Sequence, residues 1–158
     1  MPIEIERKFL VKKDIWTASE KPEGEFYRQG YLVSHPEKTI RARLTAKSAF
    51  LTIKGKSSGA TRAEYEYEIP QAEAKELLDD FAESELSKTR YKVLFAGKMW
   101  EIDDFHGQNE GLLMAEIELN AEDEHFEIPE WAGDEVTGLN QYYNSSLTLH
   151  PFTKWKNI

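Results

Sequence analysis

The chain has 158 residues, a net charge of −9, and 40% hydrophobic and 12% aromatic residues, which predicts one folded domain, residues 1–158, with a real core. It contains no cysteine, so disulfides, thiolate metal sites and a cysteine nucleophile are excluded. The negative charge argues against nucleic acid and anionic membranes as partners, because those surfaces repel it at long range. A polyanion could still bind where a local basic enclosure or divalent cations offset the overall charge.

The first residues show no basic region followed by an apolar run. No apolar stretch approaches the roughly 18 residues expected of a membrane span. We therefore expect a cytoplasmic protein with neither a signal peptide nor a membrane segment.

The first predicted strand, residues 2–10, alternates between two kinds of face. Glu4, Glu6 and Lys8 share one face, and apolar side chains occupy the other. Neighbours on one face of a strand lie about 7 Å apart, so two carboxylates are held beside an ammonium group. This pattern predicts a cation site next to an anion site.

The remaining elements follow in chain order, and most of them are strands. The alternating segments span residues 2–10, 26–33, 39–44, 50–56, 62–69, 87–95, 99–105 and 112–119. Residues 12–24 indicate a loop that includes one short helical turn. Apolar side chains at helical spacing predict an amphipathic helix from Gln71 to about Leu86, and we also expect a short helix at 121–126 and a terminal helix at 140–149. The predicted fold class is α+β, mainly β, with antiparallel strands and a few covering helices.

The charges on these strands are sorted by sign. Basic side chains recur at Arg41 and Arg43, Lys54 and Lys56, and Lys88, Arg90 and Lys92; acidic ones recur at Glu64, Glu66 and Glu68, Glu101 and Asp103, and Glu116 and Glu118. Solvated outer faces of a sandwich are one explanation, since charged strand faces usually point to water. The other is a closed barrel whose wet interior holds both sets, with basic groups binding an anion and carboxylates binding metal. The pattern alone leaves both open.

An ordered set of motifs resembles the CYTH superfamily, also called triphosphate tunnel metalloenzymes, over almost the whole chain. The motifs are Glu4-x-Glu6-x-Lys8, Arg28-Gln29-Gly30-Tyr31-Leu32, Arg41-x-Arg43, Lys54, Arg62-x-Glu64-x-Glu66, Lys88-x-Arg90-Tyr91, Glu101-x-Asp103, Glu116-x-Glu118, and Glu135-Val136-Thr137-Gly138 with Tyr142 and Asn144. The opening motif alone is weakly specific, and the set in this order is strongly specific.

The resemblance implies a closed eight-stranded antiparallel β-barrel, or tunnel, that hydrolyses inorganic triphosphate to pyrophosphate and orthophosphate. The family also includes thiamine and nucleotide triphosphatases and class IV-type adenylate cyclases, and a non-catalytic polyphosphate-binding module is a further alternative. No His-Phe pair precedes Glu4, which favours the simple triphosphatase. Gln141 departs from the basic residue that many members have there, which leaves the role of the terminal helix open.

The resemblance and the donor chemistry together predict the site residues. Substrate-binding residues are Lys8, Tyr31, Arg41, Arg43, Lys54, Arg62, Lys88 and Arg90. Metal ligands are Glu4, Glu6, Asp103, Glu116 and Glu118, and the catalytic set is Glu4, Glu6, Lys8, Glu116 and Glu118. Carboxylate oxygens suit Mg²⁺ or Mn²⁺ better than Zn²⁺, and arginine gives a planar two-point grip on phosphate.

Other residues have predicted supporting roles. We expect Glu64 and Glu66 to orient cations, and Glu101 to form a salt bridge to a lysine inside the barrel. The four histidines are expected to lie outside the site. Apolar outward faces of the strands make a homodimer plausible.

Overall fold

The computed structural model describes residues 1–155, so the last three residues of the predicted domain lie outside the described residues. The strands are β1 (Ile3–Val11), β2 (Glu25–His35), β3 (Lys38–Leu44), β4 (Ala49–Gly55), β5 (Thr61–Glu68), β6 (Ser84–Phe95), β7 (Lys98–Phe105), β8 (Leu113–Glu118) and β9 (Ala132–Glu135). The α-helices are α1 (Lys13–Ala18), α2 (Gln71–Asp80) and α3 (Asn144–Leu149), and 3₁₀ helices span Gly107–Asn109, Asn140–Tyr142 and Phe152–Lys154.

The strands close into a barrel. Antiparallel pairing runs in the order β5, β4, β3, β2, β6, β7, β8, β1, and β1 then pairs with β5 through Ile3 opposite Ala63 and Ile5 opposite Thr61. The extra strand β9 pairs with the far end of β1, outside this ring. The predicted eight-stranded antiparallel barrel is confirmed.

The main hydrophobic core lies against the outer face of the barrel wall. Trp100, Ile102 and Ile117 point outward from β7 and β8 and are almost fully buried. They form one cluster with Trp16 and Trp131, and the Trp100 and Trp131 rings lie 5.5 Å apart. Because strand side chains alternate, burying this outer face turns the charged side chains of the same strands inward.

A second cluster attaches the C-terminal segment to the wall. Leu147 of α3 is fully buried beside Leu86, Phe105 and Met114. Helix α2 covers another part of the wall through Ala74 and Leu78. A Cβ added at position 30 would lie 2.9 Å from Leu78, so glycine there permits the close approach of α2 to β2.

Three predicted helices differ from the observed ones. Helix α2 ends at Asp80 rather than near Leu86, because β2 offers backbone partners that the chain then uses: the Glu83 N–H donates to the Tyr31 carbonyl at 2.9 Å, and Leu86 pairs with Gln29. Phe81, one of the apolar side chains at helical spacing in the predicted helix, is therefore 64% exposed.

The other two differences lie near the C-terminus. Residues 121–126 form a turn rather than a helix, and β9, which was not predicted, follows. The terminal helix is divided at Tyr143, whose extended backbone (ψ 140°) separates a 3₁₀ turn from α3. Gln141 lies exposed in that 3₁₀ turn. Among the helices of residues 1–155, none has the length and apolarity needed to cross a lipid bilayer.

Candidate active site

The barrel encloses a cavity of about 190 Å³, here called the central cavity. Its lining includes every predicted site residue except Asp103, and these residues come from seven of the eight barrel strands: Glu4, Glu6, Lys8, Tyr31, Arg41, Arg43, Lys54, Arg62, Lys88, Arg90, Glu116 and Glu118. Of the two arrangements that the charge pattern left open, the structure therefore shows the charged interior. All four histidines lie outside this cavity, as expected.

Carboxylates face one another where β1 meets β8. We call Glu4, Glu6, Glu116 and Glu118 the acidic cluster. Glu6 lies opposite Glu118 in the strand register, and Lys8 lies opposite Glu116. Like charges placed directly across a strand pair destabilise a sheet unless a cation compensates, so this edge of the cavity favours binding of a positive ion.

The pKa values of the acidic cluster diverge. Burial, reinforced by Glu116, raises the pKa of Glu6 well above its usual range. Burial opposes ionisation of Glu116 too, but the Lys8 and Arg90 cations hold its pKa well below the usual range. Burial and the neighbouring Glu4 also raise the pKa of Glu118. Glu6 and Glu118 therefore hold their protons to a higher pH than a free glutamate does, and a divalent cation would compete with those protons.

The donor set fits Mg²⁺ or Mn²⁺ in chemistry, since it offers only carboxylate oxygens. Within residues 1–155, however, no three acidic or histidine side chains already converge on one point. Glu4 is also engaged by a cation already, because Lys54 Nζ lies 3.0 Å from its Oε1. Metal binding then requires side-chain rotation within the cavity.

The remaining wall is basic, and we call Lys8, Arg41, Arg43, Lys54, Arg62, Lys88 and Arg90 the basic cluster. Burial together with the Arg41 and Arg90 charges lowers the pKa of Arg43 to about 10. The Nε of Arg41 is buried without a hydrogen-bond partner among residues 1–155. Buried cations that repel one another, with a donor unused, are typical of a site for an anionic ligand.

Asp103 does not line the central cavity but contacts two cations that do. Its Oδ1 accepts from Arg90 Nε at 2.7 Å, and its Oδ2 accepts from Lys88 Nζ and Arg90 Nη2, both at 2.8 Å. Burial lowers the pKa of Lys88 to about 7. The negative charge of Asp103 acts in the opposite direction and favours the protonated amine. With both oxygens engaged and the side chain 1% exposed, Asp103 orients two cations instead of facing the predicted metal.

The supporting acids lie close to the predicted places. Glu64 is 3.5 Å from Lys54 Nζ, and Glu66 is 3.6 Å from Arg41 Nη2. Burial, with the Glu4 charge, raises the pKa of Glu64 to about 7. Glu101 pairs with Arg90 at 3.2 Å, not with a lysine as expected.

Two residues that line the central cavity, Thr52 and Tyr143, were not predicted as site residues. Thr52 accepts from Arg41 Nη2 at 3.1 Å and donates to Glu66 at 2.9 Å; it is in phase with Lys54, which was a usable signal. Tyr143 contacts two cations through its ring, 5.1 Å from Lys8 Nζ and 5.6 Å from Arg62 Cζ. Nothing in the periodicity indicates that the C-terminal segment reaches the cavity.

Two related proteins and one similar solved structure are named as inorganic triphosphatases. The chain is 46% identical over 154 residues to an inorganic triphosphatase of Acetivibrio thermocellus, covering 97% of each chain. It is 36% identical to an inorganic triphosphatase of Nitrosomonas europaea, covering 92% of this chain and 97% of the relative. A crystal structure of the inorganic triphosphatase NE1496 matches with a TM-score of 0.64 at 32% identity, over 94% of this chain and 96% of that chain. Because the family model for the CYTH domain matches residues 2–150 as well, the chain belongs to the CYTH domain family.

Proposed function

We propose that this protein is an enzyme that hydrolyses inorganic triphosphate to pyrophosphate and orthophosphate with the help of a divalent cation. The observation that carries the proposal is the division of one enclosed cavity into an acidic cluster and a basic cluster. A triphosphate carries several negative charges, and the basic cluster provides the cations needed to neutralise and position it. The inorganic triphosphatases among its relatives support the same substrate.

Each cluster has a distinct part in the proposed reaction. The phosphate oxygens are bound by four residues of the basic cluster, Arg41, Arg43, Lys88 and Arg90. These residues hold the triphosphate in line with the attacking water molecule. When bound by the acidic cluster, Mg²⁺ or Mn²⁺ supplies a Lewis acid that stabilises the charge on the phosphoryl oxygens. Lys8 is the member of the basic cluster that lies opposite Glu116, and it offers a positive charge at the reacting phosphate.

The proposed hydrolysis breaks one P–O bond of the triphosphate and forms another. Water attacks the terminal phosphorus, a new P–O bond forms, and the bond to the bridging oxygen breaks with its electron pair leaving on pyrophosphate. The proton of the attacking water passes to a carboxylate oxygen of the acidic cluster. We place the metal ligands at Glu4, Glu6, Glu116 and Glu118, and assign Asp103 to the orientation of Lys88 and Arg90.

An adjoining cavity favours a nucleoside triphosphatase as the second candidate. This cavity of about 550 Å³ shares Thr39, Arg62, Tyr143 and Ser145 with the central cavity. It is also lined by Pro36 and Leu149, whose apolar surfaces could contact a base or another organic ring.

A parallel assay separates these candidates. Purified protein with Mg²⁺, and separately with Mn²⁺, is given tripolyphosphate, ATP or thiamine triphosphate, and the products are identified. We expect the highest kcat/KM for tripolyphosphate and no turnover in EDTA. A cyclic product from ATP, or a preference for an organic triphosphate, would overturn the proposal. Tight binding without turnover under either metal would indicate a non-catalytic polyphosphate-binding module.

Three further expectations belong to the same proposal. Residues 1–158 act as one domain in the cytoplasm, on small molecules and without nucleic acid or membrane partners. A homodimer would cover the outer apolar side chains Ile3, Ile53 and Tyr67, which are 54%, 37% and 55% exposed on adjoining strands. The molar mass in solution by light scattering tests the dimer.

A further inference from the structure

Asn144, the first residue of α3, links the C-terminal segment to the basic cluster. Its side chain is largely buried and lines the central cavity. Its Oδ1 accepts from Lys88 Nζ at 2.8 Å and from Gln29 Nε2 at 2.9 Å. The fully buried Gln29 in turn accepts from Arg43 Nε through its Oε1 at 3.1 Å.

The charges at the two ends of this chain determine how both amides point. Arg43 and Lys88 can only donate hydrogen bonds, so Gln29 must present its oxygen to Arg43, and Asn144 must present its oxygen to Lys88. The amino group of Gln29 then faces the Asn144 oxygen, which completes a chain of donors and acceptors with consistent direction. A flipped amide at either position would place two donors, or two acceptors, against each other.

In this orientation the amino group of Asn144 has no hydrogen-bond acceptor among residues 1–155. Among the hydrogen bonds of residues 1–155, Asn144 Nδ2 donates none, although the side chain lines the central cavity. Toward a neutral amide, phosphate oxygens act as hydrogen-bond acceptors and not as donors. An unused donor in this place is therefore complementary to a phosphate-bearing ligand.

We propose that Asn144 is a substrate-binding residue whose Nδ2 donates to a phosphate oxygen, and that Gln29 is a positioning residue that acts through Asn144. The inference rests on the proposed function, because it requires tripolyphosphate in the central cavity. Since Asn144 begins α3, substrate binding also fastens the C-terminal segment to the barrel. The hydrogen-bonded chain from Arg43 through Gln29 and Asn144 to Lys88 thus gives the terminal helix a role in substrate binding, which the sequence did not predict.

The test compares tripolyphosphate binding to the wild type, Asn144→Ala and Asn144→Asp by calorimetry in EDTA, where turnover does not interfere. Asn144→Asp has the same shape and keeps an acceptor for Lys88 and Gln29, but it turns an oxygen toward the phosphate. Asn144→Ala removes the donor without adding charge. We expect the Kd to rise about tenfold or more in both variants.

Asn109 provides a matched control. It is also buried, and it holds the same segment through Leu147 and Phe152, but it does not line the central cavity. Asn109→Asp should lower the unfolding temperature without raising the Kd of the folded fraction. Asn144→Asp keeps its contacts, so it remains informative if Asn144→Ala fails to fold.

A double-mutant cycle tests Gln29. Gln29→Ala should raise the Kd for tripolyphosphate about threefold or more in the wild type and have little effect in Asn144→Ala, because coupled residues are not additive. The inference would be overturned if Asn144→Asp bound tripolyphosphate as tightly as the wild type, or if Asn144→Asp lost affinity while Asn144→Ala did not. It would also be overturned if Gln29→Ala raised the Kd equally in the wild type and in Asn144→Ala. A wild type that binds no tripolyphosphate would instead overturn the proposed function itself.

Discussion

Lys54 Nζ lies 3.0 Å from one carboxylate oxygen of Glu4 and 3.1 Å from the other, although β5 separates the strands that carry them. A proposed phosphate ligand and a proposed metal ligand thus neutralise each other across the central cavity. Binding a metal at Glu4 would release Lys54 for phosphate, and binding phosphate at Lys54 would release Glu4 for metal. The two binding events should therefore favour each other.

The first prediction concerns Lys54. Lys54→Ala should lower kcat/KM for tripolyphosphate about 10- to 100-fold, because a charge-assisted contact to phosphate is lost. Steady-state kinetics at saturating metal measures the loss. Lys75 is the control, since it is exposed on α2 and pairs with Asp79 at 2.6 Å; Lys75→Ala should match the wild type. Equal kinetics in both variants would remove Lys54 from the substrate site.

The second prediction concerns the acidic cluster. Glu116→Gln or Glu118→Gln keeps the shape of the side chain and removes a charged metal ligand, so turnover should be lost while some binding of tripolyphosphate remains. Product formation and calorimetry measure the two effects separately. Glu76→Gln on the exposed face of α2 serves as the control. Unchanged activity in both cluster variants would exclude these glutamates from the metal site.

The third prediction separates Asp103 from the metal ligands. Asp103→Asn leaves the buried Lys88 without its anionic partner and removes one of the carboxylates that pair with Arg90, which should lower the free energy of unfolding by about 3–5 kcal/mol. Chemical denaturation measures that loss. The affinity for Mn²⁺ should stay near that of the wild type in the folded variant and fall in Glu116→Gln. Equal losses of Mn²⁺ affinity in the two variants would make Asp103 a ligand after all.

The fourth prediction tests where the core lies. Trp100 is fully buried on the outer face of the barrel, so Trp100→Ala should lower the free energy of unfolding by about 3–5 kcal/mol. Leu94 is 68% exposed on the neighbouring strand, and Leu94→Ala should cost less than about 0.5 kcal/mol. Similar denaturation midpoints for the two variants would contradict a core outside the barrel wall.

The fifth prediction concerns acid stability. The hydrogen bond from Arg7, with Arg7 Nη2 2.7 Å from Glu135 Oε1, lowers the pKa of Glu135 below its usual value of 4.5. A lowered carboxyl pKa stabilises the folded state above the unfolded pKa, and this contribution is lost as the pH falls through the folded pKa. Glu135→Gln should be less stable than the wild type at pH 7, and the difference should shrink below pH 4.5. Unfolding curves across this range check the sign, and a difference that is constant with pH would contradict it.

A shared face for the charged side chains could be predicted from the sequence because strand alternation is local. Glu4, Glu6 and Lys8 share a face whatever the rest of the chain does. What alternation cannot give is the direction of that face, since a solvated sheet shows the same pattern. The outer cluster of Trp16, Trp100 and Trp131 decides the direction, and it brings together residues far apart in the sequence.

The position of Asp103 and the reach of the C-terminal segment were less predictable. Asp103 has the same alternation as Glu101, yet only the pairing of β6 with β7 places Arg90 directly across from it. Asn144 and Tyr143 enter the cavity because Leu147 is anchored in the second cluster. Both outcomes depend on contacts between distant segments, which periodicity does not encode.

The most direct measurement of the central claim is phosphorus NMR of tripolyphosphate incubated with the purified protein and Mg²⁺. We predict that the tripolyphosphate signals disappear while pyrophosphate and orthophosphate appear in equal amounts, and that neither appears in EDTA or with Glu116→Gln. Tripolyphosphate that stays intact with both Mg²⁺ and Mn²⁺ would contradict the account.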